Sequence, residues 1–309
     1  MVMTATDITL EVLMRVFVTG ASGFIGSAVV RDLIGAGHEV VGLARSDAAA
    51  AALAAEGAEV HRGDLEDLDG LRAGAQASDG VIHLAFIHDF SDYARAAQTD
   101  RRAIEALGEA LAGSDRPLVV ASGIAVLSPG RVATEDDAAS PESPRASEAA
   151  ALAFTGRGVR VSVVRLPPTV HGQGDHGFVS SLIDTARDRG VSAYPGDGSN
   201  RWPAVHRLDA AHLFRLALEQ APTGAVLHAV ADEGVPVRDI AEVIGAHLKL
   251  PVSAVPVDGA ANHFGWIGLI FALDVPATST LTQQRFDWHP VQPALIADLD
   301  KGHYFTNDN

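Results

Sequence analysis

TGASGFIG, from Thr19 to Gly26, is the stretch on which the fold of this chain turns. It follows Arg15–Thr19 (RVFVT), a short apolar run with strand character. It leads into Phe24–Ala36, where Ile25, Val29 and Leu33 recur every four residues on one helical face. A strand that passes through three glycines into a helix has a physical use. Gly20 permits the tight turn, Gly23 lets the backbone approach a pyrophosphate, and Gly26 lets helix and strand pack closely. The free N–H groups of the first helical turn, aided by the helix dipole, then receive the diphosphate. Ser22, Phe24 and Ile25 complete the expected cradle.

The second strand, Glu39–Ala44, decides which dinucleotide fits. A site for NAD ends this strand with an acid, about 20 residues past the glycines, that holds the adenosine ribose diol. Here Ala44 is followed by Arg45 and Ser46, and an arginine with a hydroxyl suits a 2′-phosphate, so NADP(H) is expected. Asp47 next to them is the competing feature. Ser46 also caps an alanine-rich helix that Gly57 closes.

Working outward, Glu59–Arg62, Val81–Ala85, Leu118–Ala121 and Val159–Leu166 read as further strands. Helices near Leu65–Ala75, Asp92–Ala112 and Ser147–Phe154 lie between them. This alternation predicts an α/β chain, a doubly wound Rossmann parallel sheet over residues 14–170. Beyond Pro167 turn-rich segments separate helices at Phe178–Arg189, Asp209–Glu219 and Val237–Leu248. Residues 171–309 read as a smaller, interleaved substrate-covering region, with 225–230 returning a strand to the main sheet. Met1–Leu13 precede the first convincing strand.

Composition narrows the function classes. The chain has 309 residues, is 47 % hydrophobic and has no cysteine, so it can bury a core and has neither disulfides nor thiolate metal sites. A net charge of −16 argues against nucleic acid and anionic membranes as partners. Apolar stretches such as Gly265–Leu273 fall short of the ~20 residues of a membrane span. With no signal-peptide pattern, a cytoplasmic protein is expected. The 13 histidines show no metal-ligand spacing.

Together these motifs resemble the extended short-chain dehydrogenases/reductases, the likeness running from Met14 over nearly the whole chain. It is carried by TGASGFIG, GDLED (Gly63–Asp67), VIHLA (Val81–Ala85), ASG (Ala121–Gly123), TEDDAASPESP (Thr134–Pro144) and RLPPTVHGQGD (Arg165–Asp175). The resemblance implies that Asp64 and Leu65 flank the adenine and that Ala85 and Phe86 flank the nicotinamide ribose. It places Pro167, Pro168, Thr169 and Val170 beside the nicotinamide and Ser122 near the reacting carbonyl, and it implies a homodimer. The family's Tyr-x-x-x-Lys pair is absent, however. No tyrosine lies between Tyr93 and Tyr194, and no lysine precedes Lys249. Aligning on Ser143–Pro144 puts Arg145 and Ala149 at the two positions.

Reduction of a carbonyl needs a hydride and a proton, so a replacement for the missing acid is sought among His88, Tyr93, Arg145, Glu148 and His171, with Ser122 beside them. Glu148 offers a different route, a carboxylate that steadies an already protonated cyclic imine. His83, inside an apolar strand, and His206, ahead of a helix, read as structural. Phe178, Tyr194, Trp202 and Phe264, with Phe86, Phe90 and Trp266, are candidates for lining a pocket for a small hydrophobic or aromatic substrate. The expected function is an NADPH-dependent reductase acting on a carbonyl or imine. The alternatives are a catalytically silent NADP(H)-binding sensor and, behind it, an epimerase or dehydratase.

Overall fold

The computed structural model describes residues 13–88, 92–124, 130–139 and 145–306. Met1–Val12, Phe90 and the Ser143–Pro144 pair lie outside them. Strands β1 (Arg15–Thr19), β2 (Glu39–Ala44), β3 (Glu59–Arg62), β4 (Gly80–His83), β5 (Pro117–Gly123) and β6 (Arg160–Leu166) alternate with helices. These are α1 (Phe24–Gly35), α2 (Asp47–Ala55), α3 (Leu68–Gln76), α4 (Tyr93–Leu111) and α5 (Ser147–Leu152). There follow β7 (Thr169–His171), α6 (Phe178–Arg189), β8 (Ser192–Pro195), β9 (Arg201–His206), α7 (Arg207–Gln220), β10 (Ala225–His228), β11 (Asp232–Pro236), α8 (Val237–Leu248) and β12 (Val252–Val255). Four short helices close the chain: α9 (Ala260–Phe264), α10 (Gly268–Phe271), α11 (Thr280–Phe286) and α12 (Leu295–Asp300).

Among the described residues, seven strands form one sheet in the order β10-β6-β5-β4-β1-β2-β3, and every neighbouring pair is parallel. Its two faces follow from the two-residue period of a strand. Val16 and Val18 of β1 pack with Val29 and Leu33 of α1 and Phe214 of α7 on one side. Phe17 packs with Leu71 of α3 and Leu107 of α4 on the other. The chain order reverses between β1 and β4, and open α/β sheets hold their ligands at such a point, in the crevice beyond the carboxyl ends of the strands.

The second half carries elements that the sequence pattern hides. Beside the main sheet lie a three-stranded sheet β11-β9-β7 and a two-stranded sheet β12-β8. Their strands are short and pair across long separations, so each lacks a local signature. They cover an aromatic core in which Trp202 meets Phe178 edge-on at 5.3 Å and Phe271 at 5.0 Å. Trp202 is fully buried in this core and Phe264 nearly so. Phe178 and Tyr194 are partly exposed at its margin, and the Arg238 guanidinium stacks on Tyr194 at 5.0 Å. No helix among the described residues is long and apolar enough to cross a membrane.

Helix α5 is too short to hold itself and is anchored by charge. Both Glu148 carboxylate oxygens accept from Arg165 of β6, at 2.7 and 2.9 Å. Arg165 also donates to the Asp137 carbonyl and lies 3.2 Å from His228 Nε2. The pair is almost wholly buried. Glu148 is therefore committed to fixing α5 on the sheet, and its carboxylate is not free to steady a bound cation. Removing one partner strands the other charge in a dry interior, at a cost of roughly 3–5 kcal/mol. Glu148→Leu is accordingly expected to lower unfolding stability in urea by about that amount; an unchanged midpoint would show that the pair is not an anchor.

Candidate cofactor and active site

The turn after β1 is built for close approach. Gly20 adopts φ +69°, and a Cβ there would meet the Ala85 amide nitrogen at 2.7 Å. A Cβ on Gly26 would lie 1.9 Å from the Gly20 carbonyl oxygen. Gly23 is the N-cap of α1; its N–H donates to the Gly20 carbonyl at 2.9 Å, no side chain caps the helix, and its first turn carries no acid. The leading amides thus have no side-chain acceptor and suit an anion. Phe24, beside exposed Ser22 and half-buried Ile25, has His176 edge-on at 5.9 Å and the Arg207 guanidinium 5.0 Å over its ring. The cradle therefore fits a dinucleotide pyrophosphate, and Arg207 adds a cation that sequence reading missed.

At the ends of β2 and β3, Ala44 lies in register with Arg62. Arg45 and Ser46 are exposed, and the Ser46 hydroxyl accepts from the Ala49 amide at 3.2 Å as the cap of α2. Asp47, the residue that complicates a 2′-phosphate reading, pairs with Arg62. Asp64 turns its Oδ1 to the amides of Glu66 and Asp67, at 2.8 and 3.1 Å, and so shapes the loop after β3 while Leu65 is buried beneath it.

At the other end of the crevice, residues from separate elements meet around Phe86. The Ala85 N–H donates to Thr19 Oγ1 at 3.3 Å and draws the strand end towards β1. The Arg145 guanidinium sits 4.3 Å over the Phe86 ring and donates to the Ala121 carbonyl at 3.3 Å, next to Ser122 at the end of β5. The Tyr93 ring lies 5.8 Å and the His88 ring 5.3 Å from Phe86. Arg145, Tyr93 and His88 thus meet around the Phe86 ring, Ser122 follows Ala121 at the end of β5, and Pro167–Val170 follow β6 into β7. Burial raises the Tyr93 phenol above its ordinary value, and the nearby Arg145 charge opposes the rise. Burial, then Arg145, lowers the His88 imidazole, although its edge remains exposed.

His171 is not part of this group. It is fully buried, with Nδ1 2.9 Å from Asp298 and its ring 5.3 Å from His206, and its Nε2 has no partner among the described residues. It helps hold the C-terminal segment, as does Tyr304, whose hydroxyl donates to Asp175 and accepts from the Gly172 amide. His83 packs in the core between Thr19 and Asp100, and His206 accepts from the Leu208 amide as the cap of α7. No group of three or more metal-ligating side chains occurs among the described residues.

Comparison with known proteins places this geometry. A sequence model of the NAD dependent epimerase/dehydratase family matches residues 16–230. An uncharacterized protein of Schizosaccharomyces pombe is 52 % identical over 295 residues, 94 % of this chain and all of that protein. The 2'-dehydrokanamycin reductase of Streptomyces kanamyceticus is 32 % identical over 81 % of this chain and 72 % of its own. A 4-hydroxy-2-methyl-3-oxo-4-farnesyl-3,4-dihydroquinoline-1-oxide ketoreductase of Stigmatella aurantiaca is 29 % identical over 85 % and 84 %. Among solved structures, Pal from Bacillus thuringiensis shares the fold, with a TM-score of 0.77 and 22 % identity over 94 % of this chain and 98 % of that one.

The buried histidine pair gives the fold a pH dependence. Burial, then His171, lowers His206 from 6.5 to about 4. Between those values the unfolded chain binds a proton that the fold refuses, so stability present above pH 6.5 is lost as pH falls towards about 4. Burial raises Asp175 and Asp209, which act in the opposite sense, so the readout is a difference between proteins. His206→Asn, which keeps a capping acceptor, is expected to flatten the fall in stability across that window; an identical slope would remove His206 as its source.

Proposed function

We propose that this chain, which belongs to the NAD-dependent epimerase/dehydratase family, is an NADPH-dependent reductase of a ketone on a small hydrophobic molecule. The observation that carries the reading is the adenosine-ribose corner. Exposed Arg45 directly follows Ala44, whose register partner on β3 is Arg62, and the acid in the first turn of α2, Asp47, is paired with Arg62. Two guanidinium groups suit a 2′-phosphate, which a free carboxylate in this place would repel.

The remaining residues then have defined tasks. Gly20, Gly23 and Gly26, with the first amides of α1 and the Arg207 guanidinium, hold the pyrophosphate. When bound, NADPH supplies the hydride. Ser122 at the end of β5 orients the carbonyl oxygen in this reading, and the adjoining Phe86 and Tyr93 rings offer the substrate an apolar surface. A ketone is favoured over an imine because Glu148, the carboxylate that would steady an iminium, is bound to Arg165. The names of two relatives, a ketoreductase with a farnesyl-bearing substrate and a reductase, support the same direction.

Two measurements test this reading. NADPH consumption with a panel of hydrophobic ketones is expected to exceed that with NADH, and tight NADPH binding without turnover would favour the sensor instead. Loss of one charge-assisted contact is worth ~1.5–3 kcal/mol. Arg45→Ala is therefore expected to raise the KM for NADPH roughly tenfold or more, with little change for NADH. Arg62→Ala, which also frees Asp47, should do the same. Equal losses with both cofactors would overturn the 2′-phosphate assignment.

A further inference from the structure

A buried hydrogen-bond chain crosses four elements and ends at Arg145. Thr19 Oγ1 of β1 lies 2.8 Å from His83 Nδ1 of β4, and His83 Nε2 lies 3.2 Å from Asp100 Oδ1 of α4. Ser147 Oγ of α5 donates to Asp100 Oδ2 at 2.5 Å and accepts from Arg145 Nε at 3.0 Å. Thr19, His83, Asp100 and Ser147 are all at most 1 % exposed. Burial pushes the Asp100 carboxyl up, but His83, and after it Arg145 and Ser147, outweigh this and hold it ionised. A dry carboxylate costs several kcal/mol unless fully paired, so a chain of this kind requires a compensating arrangement of its neighbours. What it fixes is the plane of the Arg145 guanidinium, which is tied at its other end to the Ala121 carbonyl and laid over Phe86.

Tyr93 faces the same ring. It is the first residue of α4, and Asp100 lies seven residues, about two turns, further along the same helix face. One helix thus carries both the phenol and the anchor of the arginine. Resting on the reductase reading above, we propose that Tyr93 and Arg145 replace the missing Tyr–Lys pair: Tyr93 donates the proton to the substrate oxygen, and Arg145 stabilises the phenolate. Asp100 and Ser147 are positioning residues that act through Arg145. In the step, the carbonyl carbon gains a hydride from NADPH, which is oxidised to NADP+, and the carbonyl π pair moves to oxygen. The Tyr93 O–H bond breaks as the alcohol O–H bond forms, and water returns the proton to the phenolate. In this arrangement the cation comes from the segment ahead of α5, not from within that helix, and it and the Tyr93 ring both lie against Phe86.

The test begins on the cofactor-free protein, where near-ultraviolet phenolate absorbance is titrated with base. The difference between wild type and Tyr93→Phe isolates the Tyr93 step from those of Tyr194 and Tyr304. In Arg145→Gln that step is expected at higher pH, because the opposing cation is gone, and Arg145→Lys should move it less. An unmoved step would sever Arg145 from Tyr93 and overturn the pairing. With a ketone substrate, loss of the proton donor lowers kcat ~10²–10⁴-fold, and Tyr93→Phe is expected to do so while NADPH affinity, read by nucleotide fluorescence, stays near wild type. Ser147→Ala should lower kcat less and shift the alkaline limb of the pH profile. If wild type reduces ketones and Tyr93→Phe keeps its kcat, or only His88→Gln loses it, this proposal fails and the reductase reading stands. If wild type reduces no ketone, the reductase reading fails and takes the proposal with it.

Discussion

The backbone contact between the start of α1 and the turn after β1 is the constraint on which the rest depends. With a Cβ at Gly26 only 1.9 Å from the Gly20 carbonyl, no side chain fits, and helix and strand meet at backbone distance. That contact aims the leading amides of α1 across the end of the sheet. It also brings Gly20 against Ala85, where β4 leaves the sheet, so both walls of the crevice are set by one turn. Thr19, the last residue of β1, then bonds the Ala85 amide and begins the buried chain that reaches Arg145.

The charge arrangement makes sense against this frame. The chain carries a net charge of −16, yet arginines recur on the segments at the carboxyl ends of the strands: Arg62 in register with Ala44, which Arg45 follows, Arg207 over Phe24, and Arg145 over Phe86. An acidic surface repels polyanions in general, while a line of local cations admits one that fits. Acids that would compete are paired, Asp47 with Arg62 and Glu148 with Arg165. At the far end the proposed proton donor and its cation, Tyr93 and Arg145, come from outside the Tyr-x-x-x-Lys spacing that the family pattern marks.

How much of this was legible in the sequence depends on how local each signal is. Strands β1, β2 and β3 and helices α6 and α8 fall on the predicted bounds, because their apolar periods and flanking turns are contained in the segment itself. The glycine turn was readable for the same reason. Strands β7, β8, β9, β11 and β12 were not, since each is short and defined by a distant partner. The buried partners of Glu148 and His171 are not legible in the sequence because they lie far along the chain, Arg165 by 17 residues and Asp298 by 127. Arg62, Arg207, Asp100 and Ser147 were overlooked because only tertiary packing puts them beside the site. For Arg62 a usable signal existed, its position at the end of the strand that pairs with Ala44.

The proposed residue roles converge on one event, delivery of hydride from NADPH to a ketone. The most direct measurement uses NADPH deuterated at the transferable nicotinamide position, mixed with the purified protein and a hydrophobic ketone, with the alcohol analysed by mass spectrometry and NMR. Deuterium is expected on the carbinol carbon, with NADH far less effective as the donor. Tight NADPH binding that leaves every ketone unlabelled would rule the reductase reading out.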